Sequence, residues 1–386
     1  MKFEKLKNIV EVKKGKKPSI VETPDENSVR VLQIDDLRND SNPKFTSEKT
    51  GVLAKEDDVL IAWDGANAGT IGYGKSGYIG STIALLRKKQ PDLYSTTFIG
   101  IFLQSQYQYL RSKTTGATIP HISRKALDDL EVPVISVKEQ LHIANLLSKA
   151  EILIAQRKES IRQLDVFLKS TFLEMFGDPE INPKNLPFTE LQKLCAVIVD
   201  CPHSTPIKSK RATNFPCIRT SELTKGYISW DSMQYLEEDE YIKRTQRLIP
   251  KAGDVVYGRE GTYGDAIRIS STHKFSLGQR TMLFRPDYNK TNSIFLWAMV
   301  RSEFVYRQAK KKNSGSTVGH VNVKDIKQFK VYFPSLVLQN EFAQIVEKIE
   351  ALKTQYQQSL KELEHLYGSL SQKAFRGQLT IKSLMV

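Results

Sequence analysis

The chain repeats itself once. Gly116-Ala117-Thr118-Ile119-Pro120-His121 returns 199 residues later as Gly315-Ser316-Thr317-Val318-Gly319-His320, and the register holds without a gap to Phe176 and Phe375. Sixteen of the 61 paired positions are identical, among them Lys125/Lys324, Val132/Val331, Gln140/Gln339, Ala144/Ala343, Glu151/Glu350, Leu164/Leu363 and Ser170/Ser369. A solenoid repeats every 20 to 50 residues or so, so this longer period marks a duplicated domain. Such a chain behaves like a two-fold dimer folded from one polypeptide, and whatever it binds is expected to be bound twice.

At 386 residues, two or three domains can each bury a core of their own. The net charge of +14 is unevenly spread. Residues 1–135 carry +3, 136–184 are neutral, 185–335 carry +10 and 336–386 carry +1. The excess therefore sits in the globular segments, which points to a polyanionic partner, nucleic acid first. Three cysteines, Cys195, Cys201 and Cys217, are too few for a disulfide framework and fit a reducing cytoplasm. With His203 they could be drawn as a zinc site, but they lack the paired C-x2-C knuckles, and no metal is expected. Met1-Lys2-Phe3-Glu4-Lys5 leads into mixed charged sequence unlike a secretory leader, and no apolar run approaches the roughly 18 residues of a membrane helix.

Residues 1–135 hold short β-type runs, such as 29–34, 58–63 and 81–86, and residues 185–335 answer them with 215–219, 254–257 and 281–285. One helical stretch is expected in each, around 95–112 and 291–312, giving an α/β or α+β unit. A long helix follows each unit, over 136–178 and 336–378, leaving 379–386 as a tail. Ser136-Val137-Lys138-Glu139 is a capping box, and Gly177-Asp178-Pro179 is a strong stop. Leu147, Ile154, Ile161, Leu168 and Met175 recur every seven residues, as do Phe342, Ile349, Tyr356, Leu363 and Leu370, with Ile345, Leu352 and Leu366 beside them. A sustained heptad argues for a coiled coil rather than an ordinary core helix. The economical packing is antiparallel, and about 40 residues span roughly 60 Å.

Catalytic signals are nearly absent. An amino-methyltransferase needs an Asp/Asn-Pro-Pro-aromatic motif, which Asn42-Pro43-Lys44-Phe45 and Asn182-Pro183-Lys184-Asn185 both miss. There is no phosphate-binding G-x-x-x-x-G-K-[ST] loop and no H-E-x-x-H. Two glycine turns stand out, Trp63-Asp64-Gly65-Ala66-Asn67-Ala68-Gly69 and Arg259-Glu260-Gly261-Thr262-Tyr263-Gly264. No helical pattern follows either, so hairpin turns that use glycine for positive φ are expected.

The candidate DNA-binding residues fall into clusters. Lys13, Lys14, Lys16 and Lys17 form one run, Lys208, Lys210 and Arg211 a second, and Lys310, Lys311 and Lys312 a third. Lysine runs are commonly plain solvated surface, and that reading stands beside the functional one. Asp200-Cys201-Pro202-His203-Ser204-Thr205-Pro206 is a polar loop able to present His203 to base edges. Arg259 in its glycine turn, and His121 and His320 in their Gly/Ser/Thr-rich loops, complete the set; a recurring histidine can equally be structural.

The order of unit, long helix, unit and long helix, with Gly261-Thr262-Tyr263-Gly264, the 279–286 strand and Gly315-Ser316-Thr317 ahead of Lys324-Asp325-Ile326, resembles the specificity subunit of type I restriction–modification systems. The family's Pro-Leu-x-Glu-Gln start of the long helix survives in part, as Glu139-Gln140 and as Pro334-Ser335-Leu336 with Gln339 but no glutamate. The resemblance covers essentially the whole chain. It implies two target recognition domains, 1–135 and 185–335, each reading half of a split, asymmetric double-stranded DNA sequence. It also implies helices that act as spacer and as docking surface for two methyltransferase subunits, with restriction subunits joining them. S-adenosylmethionine, ATP and magnesium would be held by those partners and not by this chain, which would be non-catalytic and cytoplasmic. The competing expectation is a basic coiled-coil scaffold joining two protein-binding domains.

Overall fold

The computed structural model describes residues 2–116, 118–224, 226–261, 264–270, 273–313 and 319–379. Thr262 and Tyr263 of the second glycine turn, 315–318 of the repeat's second start, and 380–386 of the tail lie outside them. The chain divides into two compact units, residues 1–159 with 357–386, and residues 160–356.

Unit 1 is organised on an antiparallel sheet in the order Val10–Lys14, Ile83–Lys88, Val59–Ala62, Ile71–Tyr73. Its central strands are apolar and buried on both faces over Val59–Ala62 and 83–86. Period-2 alternation sends Val59, Ile61, Ala84 and Leu86 into one core and Leu60, Ala62, Ile83 and Leu85 into another. The first core is closed by the helix Thr96–Ser105. The second is covered by a sheet ordered Lys44–Thr46, Val29–Leu32, Gly77–Ile79, Leu53–Ala54, whose Val29–Leu32 and Gly77–Ile79 run parallel.

Unit 2 repeats this plan. Its sheet runs Cys195–Asp200, Thr281–Pro286, Val255–Gly258, Ala266–Arg268. Val255, Tyr257, Met282 and Phe284 face one core, while Val256, Ile267 and Leu283 face the other. A smaller sheet again contains a parallel pair, Pro216–Ile218 with Ser276–Leu277. One ion pair recurs at the same place: Asp58 with Arg87 at 2.6 Å, and Asp254 with Arg285 at 2.8 Å. In both, the aspartate also accepts from the backbone N–H three residues earlier, Lys55 or Lys251, at 2.9 Å.

The single helical stretches expected at 95–112 and 291–312 are each two helices. Thr96–Ser105 gives way to Tyr107–Ser112 at Gln106 (φ −90°, ψ 5°), and Ser293–Val300 to Glu303–Lys311, where the Ser302 hydroxyl accepts from the Val305 N–H. In the second stretch the Ser302 cap breaks the helix, whereas at Gln106 no side-chain cap forms.

The long helices are Val137–Phe176 and Leu336–Phe375. The capping box forms: Glu139 N–H donates to the Ser136 hydroxyl at 3.3 Å, and Ser136 N–H to the Glu139 carboxylate at 3.1 Å. Gly177 and Gly377 end them at φ 76° and 71°, the left-handed conformation that glycine adopts without a Cβ penalty. In unit 1, Ile143, Ala144 and Leu147 at the start of the first helix share a core with Ala374 and Phe375 at the end of the second. In unit 2, Phe172 and Phe176 at the end of the first share a core with Phe342, Ala343 and Val346 at the start of the second. The helices therefore pack antiparallel, as expected.

The aromatic pair that closes the sequence repeat plugs both cores. Phe375 lies 5.7 Å from Phe98, and Phe176 lies 5.0 Å from Phe295, ring centre to ring centre. Each plug contributes about 1.5–3 kcal/mol of apolar burial.

Of the expected seam, Leu147, Phe342 and Ile349 are buried, while Ile154, Ile161, Leu168, Met175, Tyr356, Leu363 and Leu370 are half-buried. Those columns are half of the seam. A second column runs through Ile143, Ala150, Leu164 and Thr171 in the first helix and Val346, Lys353, Tyr367 and Ala374 in the second. Leu352 and Leu366, expected beside the seam, are instead exposed. Lys353, 4% exposed, is tolerated there because its ammonium donates to Asp165 and, at 2.9 Å, to the Tyr227 hydroxyl. Burial and the Glu350 carboxylate push that phenol far above its ordinary value, so it stays a neutral donor.

Candidate nucleic-acid interface

In both units the glycine turn and the recurring histidine meet. Gly65, at φ 94°, donates its N–H to Pro120 O at 2.9 Å, and Asp64 pairs with His121 as a β-bridge. Glu260 pairs with His320 in the same way, and Gly261 donates to Gly319 O at 2.9 Å. The turns are hairpin connections, Ile71–Tyr73 running antiparallel to Val59–Ala62 and Ala266–Arg268 to Val255–Gly258.

In unit 1, Asp64 is the hub. One carboxylate oxygen lies 2.6 Å from His121 Nδ1 and the other 2.7 Å from Lys14 Nζ. Burial works to raise the Asp64 pKa, but the bonds from His121 and Lys14 outweigh it and hold the carboxyl below its ordinary value. Lys14 and His121 remain about half exposed, so their cationic and ring faces are presented. Lys13 pairs with Glu11 at 3.1 Å, and Lys16 and Lys17 are exposed in the segment that follows.

Unit 2 keeps an acid at the position of Asp64, Glu260, 3.9 Å from His320 Nδ1, and adds a second acid–base pair. The strand now ends in an acid, Asp200, and the turn begins with a base, Arg259. Arg259 Nε donates to Asp200 at 3.0 Å, and its Nη1 lies 3.3 Å from His320 Nδ1. Asp200 also lies 3.2 Å from His203 Nε2. Arg259 is 6% exposed, so its place in the candidate set changes: it positions Asp200 and His320 rather than offering its own fork. His203 is 72% exposed. The loop that carries it is fixed from beneath by Arg244, a buried guanidinium that donates to Ser204 O at 3.0 Å, Pro202 O at 3.3 Å and Leu277 O at 3.1 Å. Nothing in sequence spacing marks Arg244; it lies 40 residues from the loop it organises.

Lys208, Lys210 and Arg211 are exposed on the continuation of that loop. Lys310, Lys311 and Lys312 end the helix Glu303–Lys311, where the Asn313 side chain accepts from the His320 N–H at 2.7 Å and so ties the lysine run to the histidine loop. Lys312 pairs with Asp325 at 3.3 Å.

Two further residues of this cluster escape sequence reading. Gln279 donates to His203 O at 3.1 Å and to Thr205 Oγ1 at 3.3 Å. Arg280 adopts φ 69°, a left-handed backbone that costs a non-glycine residue on the order of 1 kcal/mol. Its guanidinium lies 3.4 Å from Glu260 and its side chain is 51% exposed.

Burial pushes the Cys195 thiol up to about 12 and raises Cys201 and Cys217 as well, so all three hold their protons. Among the described residues no group of three or more His, Cys, Asp or Glu side chains is placed to hold a metal ion, and no helix is long and apolar enough to cross a membrane.

The family model for the type I restriction modification DNA specificity domain matches residues 1–164 and again 205–365. The chain belongs to this specificity family. Among curated relatives, the type I restriction enzyme MjaVIII specificity subunit of Methanocaldococcus jannaschii is 24% identical, over 96% of this chain and 91% of its own length. The EcoBI specificity subunit of Escherichia coli is 20% identical over 91% and 80%. The crystal structure of the S subunit from M. genitalium superposes with a TM-score of 0.58 at 17% identity, covering 97% of this chain and 96% of that one. A chain from a structural study of type I R-M complex assembly and conformational transition gives 0.59 at 15%, covering 98% of each. These structures share the fold. The chain is thus a non-catalytic specificity component.

Proposed function

We propose that each unit reads one half of a split, asymmetric double-stranded DNA sequence, and that the long helices set the spacer between the halves and dock two methyltransferase subunits, through which restriction subunits join. The observation that carries this reading is the contrast inside the repeat. Framework pairs are kept, Asp58/Arg87 with Asp254/Arg285 and Gln140 with Gln339, while the loop cluster around each histidine is rebuilt with different polar groups. A shared scaffold with divergent loop chemistry is what reading two different half-sites requires.

Exposed lysines would supply sequence-independent phosphate contacts, and His121, His203 and their neighbours the base-edge contacts. Leu141, Ile152 and Leu153 in unit 1, and Val166, Phe167 and Leu173 in unit 2, are exposed apolar residues of the first long helix and suit a helical partner. S-adenosylmethionine, ATP and magnesium would be bound by the partner subunits, and the complex would work in the cytoplasm. Methylome sequencing with and without this gene tests the reading. A bipartite methylated motif that disappears with the gene is expected; an unchanged methylome refutes it.

A further inference from the structure

We propose that Arg280 is a specificity-determining residue of unit 2 and reads a guanine in the major groove; the inference rests on the DNA-reading function proposed above. The repeat supplies the comparison. Gly80-Ser81-Thr82-Ile83 in unit 1 corresponds to Gly278-Gln279-Arg280-Thr281 in unit 2, and the two turns share their backbone bonds. Gly80 N–H donates to Leu32 O as Gly278 N–H does to Ile218 O, and Trp63 N–H donates to Thr82 O as Arg259 N–H does to Arg280 O. The framework is the same and the side chains are not.

Unit 1 places a short threonine at this position with no positive φ. Unit 2 places an arginine there in a left-handed backbone that glycine would adopt without strain. Strain of this kind persists where the surroundings over-determine it, and it gathers at binding sites. Here the surroundings do so. A Cβ at Gly278 would stand 2.9 Å from Ile218 O and 3.1 Å from Arg219 Cα, so the backbone of the turn is closely packed. The Thr281 hydroxyl donates to Gly278 O at 2.8 Å, and Gln279 ties the turn to the His203 loop.

The side chain emerges from this fixed base. Glu260, 3.4 Å from Nε, orients the guanidinium, and half of the side-chain surface faces solvent. A planar fork held on a rigid turn suits bidentate donation to guanine O6 and N7, the commonest specific arginine contact. A phosphate contact would need only the charge.

The test maps methylation genome-wide in host cells carrying the wild-type gene, Arg280→Gly or Arg280→Lys. Glycine relieves the strained φ, so the first variant should fold, and melting of the purified chain checks this. Both variants should relax selection at a single G·C pair in one half of the motif, by about 10- to 100-fold, with the other half unchanged. Lysine should fail to restore it, because it keeps the charge and loses the fork. An unaltered motif in both variants, a half-site with no guanine that responds, or methylation weakened equally at all sites in a folded variant overturns the assignment. A wild-type gene that directs no sequence-specific methylation instead refutes the DNA-reading function, and this inference falls with it.

Discussion

Gln339 and Gln140 fasten each recognition unit to the start of a long helix, and replacing them should be costly in proportion to the bonds they make. Gln339, fully buried, accepts from the Thr291 hydroxyl at 3.0 Å and the Asn292 N–H at 2.9 Å, and donates to Pro334 O at 2.9 Å and Lys290 O at 3.2 Å. Gln140 accepts from Ser95 N–H at 2.8 Å and donates to Leu93 O at 2.8 Å and Ile135 O at 3.0 Å. Leucine keeps the volume but leaves the partners stranded, at about 1 kcal/mol per lost bond. Gln339→Leu should therefore cost about 4 kcal/mol and Gln140→Leu about 3 kcal/mol. For units of this size that lowers the melting transition by about 2–4 °C per kcal/mol. Calorimetry of the full chain reads the shift. Hydrogen exchange should show the Asn292 amide losing protection in the first variant and the Ser95 amide in the second. A cost under about 1 kcal/mol for either, well below the sum of its bonds, or a larger loss from Gln140→Leu than from Gln339→Leu, would refute the account.

Much of this architecture was legible because the repeat constrains both halves at once. A glutamine recurring near the start of each long helix, and a phenylalanine closing the repeat at 176 and 375, turn out to be the buried clip and the core plug. The caps and glycine stops followed from local chemistry. The second seam column stayed hidden because Thr171, Lys353 and Tyr367 are polar, and a heptad search counts apolar residues; Lys353 is paid for by Asp165, a partner 188 residues away. The candidate site was legible in parts and not as an assembly. His121, His203, Arg259 and His320 can be picked out singly, but the pairing of turn with histidine spans 57 residues in unit 1 and about as many in unit 2. The positioning role of Arg259 depends on burial, Arg244 on a distant loop and Arg280 on a backbone angle, and none of these leaves a local mark in sequence.

Replacing Lys208, Lys210 and Arg211 by alanine should flatten the salt dependence of DNA binding by about one unit of slope per lost phosphate contact; an unchanged slope in a folded variant removes the cluster from the interface. Exchanging residues 1–135 for those of another family member should change one half of the methylated motif, and a change in both halves or neither defeats the modular reading. The Asp64 carboxyl, held below its ordinary 3.8, gives a pH signature. Its tie to Lys14 and His121 should be fully present above that value and lost as pH falls through the lowered one, and an NMR midpoint at or above 3.8 contradicts the tie. The spacer provides the last test. Four residues inserted after Glu159 and four after Tyr356 fall between the parts of each helix that belong to unit 1 and to unit 2, sparing Phe172 and Phe176 in the unit 2 core. Because the helices run antiparallel, both insertions lengthen the same stretch, by about 6 Å at 1.5 Å per residue. That is nearly two base pairs at about 3.4 Å each. The half-sites should stay as they are while the unspecified spacer grows by one or two base pairs. A single-residue insertion at the same points turns the helix by about 100° and breaks the apolar seam, so it should abolish binding. A four-residue variant that binds with its original spacer shows that the helices do not measure the distance, and the spacing must then be set within the units.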